Sequence, residues 1–101
     1  MNMKKKKDGS TLTICISGRI DTATSPEVSS YVSENLDGVT RLILDFKDVN
    51  YVSSAGLRVL LSLHKSMMAK DGMKLINVNE SVSDVFEVTG FDEILDFEAG
   101  E

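Results

Sequence analysis

Residues Tyr51–Leu61 read Tyr-Val-Ser-Ser-Ala-Gly-Leu-Arg-Val-Leu-Leu. An extended segment gives way here to an apolar helical one, with Ser53 and Ser54 at the changeover. A helix start leaves backbone N–H groups unpaired, and a serine oxygen can accept from one of them. The same end of a helix is electropositive and so tolerates an added phosphate. An ordinary N-cap and a phosphorylation switch therefore fit the same two residues. As a strand-to-helix junction, the segment is also expected to be exposed and within reach of another protein.

Downstream, the pattern predicts a helix from Ser54 to about Lys70. At about 100° per residue, Leu57, Val59, Leu60, Leu61, Leu63, Met67 and Met68 cover roughly 200° of its circumference. Arg58, Ser62, Lys65, Ser66 and Ala69 occupy the rest. So wide an apolar arc marks a central helix, packed on a sheet and on a neighbouring helix. Asp71-Gly72 ends it, and Lys74–Val78 reads as a strand. Ser81, with Asp84 three residues on, is expected to open a short helix that Gly90 closes. Phe91, Ile94, Leu95 and Phe97 form a last apolar segment.

Upstream, Arg41–Phe46 is a nearly continuous apolar run, as expected of a strand covered on both faces. Thr24-Ser25-Pro26-Glu27 signals a helix start: either hydroxyl can cap, Pro26 falls in the first turn, and Glu27 completes a capping box with Thr24. Val28, Tyr31, Val32 and Leu36 follow helical spacing up to Asp37-Gly38. Leu12, Ile14 and Ile16 alternate with Thr11, Thr13 and Cys15, giving a strand over 11–17. Asp8-Gly9 can pair that strand with a short, lysine-rich edge strand before it. Cys15 falls on the face opposite the aliphatics, where a small buried thiol is the default expectation. The order β-β-α-β-α-β-α implies an α/β fold: a single-layer mixed, mostly parallel sheet of four to five strands with helices packed on it.

Length and charge bound the function. The 101 residues suffice for one domain, 1–101, with one core. No apolar run approaches the ~20 residues of a membrane span. Lys4–Lys7 is followed by Asp8-Gly9-Ser10 and not by an apolar core, so no secretory signal is expected. A single cysteine excludes an internal disulfide and suits a reducing cytoplasm. The net charge of −5 argues against nucleic acid as the main partner.

Catalytic chemistry finds little support. His64 is the only histidine; it falls inside the apolar arc, where a packed ring with one nitrogen bonded to backbone is expected. It also lies ~15 Å along the helix from Ser54, too far to act as its base. Val52 and Ala55 do not supply the glycines of a hydrolase elbow. One His and one Cys make no metal site, and no glycine-rich phosphate loop is present. An aspartyl-phosphate receiver would need Asp21, Asp45 and Asp48 to converge near a lysine at the strand ends, and only Asp21 and Asp48 are suitably placed. The chain reads as a non-enzyme without metal or cofactor. An unactivated serine needs a partner kinase, and phosphate would then add about −1.5 to −2 charge and three acceptor oxygens.

Four segments resemble the STAS domain family, specifically the bacterial anti-sigma factor antagonists. These are Ser17–Glu27, Leu42–Val49, Tyr51–Leu61 and Phe86–Phe91, which in order span nearly the whole chain. The resemblance implies a cytoplasmic partner-switching protein that binds a serine-kinase anti-sigma factor, is phosphorylated by it with ATP, and is restored by a PP2C-type phosphatase. It implies partner contacts at Asp21, Thr22, Ser53, Ser54, Gly56, Leu57 and Arg58, with no nucleic acid and no membrane. The family's usual motif is Asp-Ser-Ser/Thr-Gly. Aligned on Gly56-Leu57, Ser53 takes the place of its Asp, Ser54 of its first Ser, and Ala55 of the usual acceptor. Ser54 is then the expected acceptor and Ser53 the second choice. The alternative is a phosphorylation-independent STAS interaction module in a signalling or transporter assembly.

Overall fold

A computed structural model describes residues 1–100. The elements are β1 (Asn2–Asp8), β2 (Thr11–Ile20), α1 (Ser25–Glu34), β3 (Arg41–Val52), α2 (Ser54–Met68), β4 (Met73–Val78), α3 (Glu80–Thr89) and β5 (Asp96–Ala99), with a 3-10 turn at Phe91–Glu93. The strands form one sheet in the order β1-β2-β3-β4-β5. β1 is antiparallel to β2, and every other pair is parallel. The mixed, mostly parallel sheet expected from the sequence is the one observed.

Alternation places Leu12, Ile14 and Ile16 of β2, Leu42, Leu44 and Phe46 of β3, and Met73 and Leu75 of β4 on one face. Val28 and Val32 of α1, Leu57, Leu60, Leu63 and Met67 of α2, and Val82 and Phe86 of α3 join them in a single core. The opposite face carries Thr13, Cys15, Ile43, Asp45, Lys74 and Ile76, none of them buried. Two expectations are thereby corrected. β3 is covered on one face only, and Cys15 is exposed because none of the described helices packs over its side of the sheet.

β3 also runs well past Phe46. Cys15 to Ser17 on β2 spans Asp45 to Asp48 on β3, and Gly18 to Arg19 spans Val49 to Tyr51. Each step puts one extra residue in β3, a pair of bulges. The Asp45 carboxylate accepts the Lys47 N–H at 3.0 Å at the first of them. The bulges break the alternation yet return Val49 and Val52 to the core.

Helix starts differ in detail from the motifs. Thr24 precedes α1 but makes no side-chain cap bond, so the expected capping box is absent. The α3 cap is Asn79, whose side chain accepts from the Val82 N–H at 2.9 Å; Ser81 lies inside the helix. Gly90 closes α3 in the left-handed region, with φ of 79°. Beyond it Phe97 of β5 packs edge-on to Phe86, with ring centroids 5.1 Å apart. β5 was not expected as a strand.

Candidate functional site

The serine junction is held by backbone and cap bonds. Ile20 and Val52 end the paired strands β2 and β3 side by side. The next residue, Ser53, is extended (φ −85°, ψ 176°), and its N–H donates to the Ile20 carbonyl at 2.8 Å. Its Oγ accepts from the Gly56 N–H at 3.3 Å, and its carbonyl takes the first helical bond from Leu57 at 2.9 Å. Ser53 is thus the N-cap of α2. Gly56 is buried where the helix meets the strand ends, and a Cβ there would stand 2.8 Å from the Ile20 oxygen. Leu57, 6% exposed, turns into the core. Ser54 and Arg58 face solvent, and Ala55 is half-buried.

Beside this junction lies the loop that leaves β2. One Asp21 carboxylate oxygen accepts the Ala23 and Thr24 N–H groups, both at 3.0 Å. The Thr24 hydroxyl donates to the Arg19 carbonyl at 2.6 Å and accepts the Asp21 N–H at 2.9 Å. That is why Thr24 does not cap α1: its oxygen is committed to the loop. The Thr24 amide above all holds the Asp21 carboxyl below its ordinary range; the Thr24 hydroxyl, the Ala23 amide and the Arg19 charge add to this against a smaller desolvation effect. The second Asp21 oxygen lies 3.8 Å from Arg19 Nε. The Arg19 guanidinium in turn sits 4.2 Å from the centroid of the Tyr51 ring, which is 40% exposed.

The fold therefore brings Asp21, Thr22, Ser53, Ser54 and Arg58 to the carboxyl ends of β2 and β3. Gly56 and Leu57, the other two residues expected to meet a partner, lie buried beneath them and shape the junction from inside. Arg19 and Tyr51 were not singled out from the sequence. They are cross-strand partners on the outward side of the two strand ends, and an exposed Arg–Tyr pair beside the serines was legible only once the bulged register was known.

Other candidates disperse. Asp45 sits on the open face of the sheet, bonded to Asn77 Nδ2 at 3.0 Å, and Asp48 is exposed. Among the described residues no three His, Cys, Asp or Glu side chains are placed to hold a metal ion. His64 is half-buried, but its Nδ1 is a buried nitrogen with no hydrogen-bond partner, so the expected backbone bond is not formed. A groove of ≈ 790 Å³ lined by Lys47, Asn77, Asn79, Glu80 and Glu98 shares no residue with the serine junction. Among the described residues no helix is long and apolar enough to cross a membrane.

Comparison with known proteins agrees with this architecture. The family model of the STAS domain matches residues 2–101. BtrV of Bordetella bronchiseptica is 31% identical over 93 residues, covering 90% of this chain and 80% of its own. The anti-sigma-B factor antagonist of Bacillus subtilis is 28% identical over 100 residues, covering 98% of this chain and 92% of that protein. Among solved structures, the anti-sigma factor antagonist SpoIIAA in its unphosphorylated form superposes with a TM-score of 0.80 at 20% identity, over 97% of this chain and 89% of that one. The Bacillus SpoIIAA structure in the phosphorylated form gives 0.72 at 19% identity, over 97% and 92%. By its sequence match and its fold, this chain belongs to the STAS domain family.

Proposed function

We propose that the chain is a cytoplasmic anti-sigma factor antagonist that binds a serine-kinase anti-sigma factor and is released from it by phosphorylation of Ser54. One observation carries the choice of residue. Ser53 spends its oxygen on the Gly56 N–H, whereas Ser54 is exposed at the first position of α2. Relatives bearing the name anti-sigma-B factor antagonist, and a SpoIIAA structure described as phosphorylated, support the same reading.

In the forward step the Ser54 oxygen attacks the γ-phosphorus of ATP bound to the kinase. The new O–P bond forms as the bond to ADP breaks, and the hydroxyl proton passes to a base on the kinase. A PP2C-type phosphatase reverses the change: water attacks phosphorus, inorganic phosphate leaves, and the serine hydroxyl is restored. The chain contributes a positioned hydroxyl and a docking surface around Asp21, Thr22, Arg19 and Tyr51; the catalytic groups belong to its partners.

The test is intact-mass measurement after incubation with the cognate kinase and ATP. One phosphate is expected on the wild type and on Ser53→Ala, and none on Ser54→Ala. Absence of any added phosphate, or a phosphate that survives Ser54→Ala, overturns the assignment. Absence combined with retained, ATP-insensitive binding would instead support a phosphorylation-independent module, the reading that Ala55 at the family's usual acceptor position favours.

A further inference from the structure

Arg58 is exposed one helical turn beyond Ser54 and takes part in no ion pair among the described residues. Its own helix cannot supply a partner, because Ser54–Met68 contains no Asp or Glu. Arg19, the other arginine near the serines, is already engaged by the Tyr51 ring and by Asp21. Residues four apart on a helix share a face, with Cβ atoms roughly 5–6 Å apart. Gly56, Leu57 and Leu60 turn inward, so Ser54 and Arg58 are neighbours on the outward side.

We propose that Arg58 is the intramolecular partner of a phosphate on Ser54, its guanidinium pairing with the phosphate oxygens across that turn. The inference rests on Ser54 as the acceptor and adds the residue that receives the new charge. The order is the favourable one, with the anion N-terminal to the cation at a separation of four. A planar guanidinium can offer two parallel N–H donors to two phosphate oxygens, which an ammonium cannot. Pairing favours the dianion over the monoanion, so the second phosphate proton is lost at lower pH. That ionisation ordinarily falls at about 6. Arg58 therefore keeps the modified site more fully dianionic near neutrality.

The test separates this proposal from the acceptor assignment by installing phosphoserine at position 54 during translation, with no kinase involved. The phosphorus NMR shift is titrated with pH in the otherwise wild-type chain and in Arg58→Gln and Arg58→Lys. For an exposed pair of this spacing, the midpoint is expected to rise by about 0.3 pH unit in Arg58→Gln. Arg58→Lys should restore part of the difference, and high salt should abolish it. Circular dichroism establishes that each variant is folded. Equal midpoints in the wild type and Arg58→Gln at low salt overturn the proposal. If the kinase leaves Ser54 unmodified, the acceptor assignment fails, while the titration still decides whether Arg58 pairs with a phosphate there.

Discussion

Gly56→Ala adds one methyl group where α2 meets the ends of β2 and β3. The new Cβ would lie 2.8 Å from the Ile20 oxygen, 2.9 Å from Ile20 Cγ2 and 3.0 Å from Val52 Cγ1. The nearest of these is a backbone carbonyl that already accepts the Ser53 N–H at 2.8 Å, so it cannot turn aside without loosening the junction. Overpacking of this kind costs about 1–3 kcal/mol. A weakened backbone hydrogen bond adds about 0.5–1.5 kcal/mol. Opposing both, alanine gains up to about 1 kcal/mol over glycine inside a helix. The balance is a net loss of about 2 kcal/mol, or a Tm lower by roughly 8–16 °C in a domain of this size. Urea unfolding followed by circular dichroism measures it, with an unchanged slope marking a true change in stability. A Gly56→Ala protein as stable as the wild type, or more so, would refute the reasoning, because the close contacts would then cost no more than the helix propensity that alanine gains.

Two more predictions concern the residues beside the proposed acceptor. Ser53→Ala removes the cap and should lower stability by about 1 kcal/mol, while Ser53→Asp keeps an acceptor for the Gly56 N–H and should stay near the wild type; thermal melts of the three proteins decide it. Asp21 is held below its ordinary range, so in the folded chain its carboxyl should titrate at lower pH than a free aspartate. Because the folded value is the depressed one, its contribution to stability is present above the unfolded pKa and lost as pH falls through the folded value. Carbon-detected NMR titration of the Asp21 carboxyl, together with acid unfolding of Asp21→Asn, checks both; a midpoint at or above that of free aspartate contradicts the loop geometry.

What the sequence disclosed, and what it withheld, follows from how local each signal is. A serine cap at the start of α2, the inward Leu57, Leu60, Leu63 and Met67, and the Leu12–Ile14–Ile16 alternation depend on neighbours within one or two turns, and they stand in the structure as read. The expected α2 arc is too wide, since Val59 and Leu61 are half-buried and Met68 is 67% exposed. Thr24 failed as a cap because its hydroxyl is claimed by the Arg19 carbonyl, a contact set by how the chain leaves β2. β3 was cut short at Phe46 because two bulges interrupt the period of two on which strand reading relies. β5 leaves little local signal because an edge strand needs only one core-facing residue, Phe97, between Asp96 and Glu98. Cys15 was placed on the correct face of β2, but only the assembled layers reveal that no helix covers that face. In the site itself, the serines and Asp21 could be picked out from sequence. The Arg19–Tyr51 stack needed the register.

The junction's construction bears on how a phosphate there can act. Ser53 fixes the helix start, Gly56 lets it press on Ile20, and Leu57 anchors it in the core, so the backbone beneath Ser54 is determined by contacts that an outward phosphate does not touch. A change of fold is therefore unnecessary to the proposed switch, and the effect falls on whatever docks against the exposed face. A partner that covers Ser54 would have to desolvate the added charge, and an ion taken out of water without a matching partner costs several kcal/mol. A mismatch of about 3 kcal/mol already weakens affinity by roughly 100-fold. If Arg58 alone neutralised the phosphate fully, that penalty would shrink, yet one guanidinium balances only part of a charge of about −2. In the proposed switch, the remaining charge on an otherwise unmoved surface is what turns binding off, and removing the phosphate would restore the same surface without any refolding step.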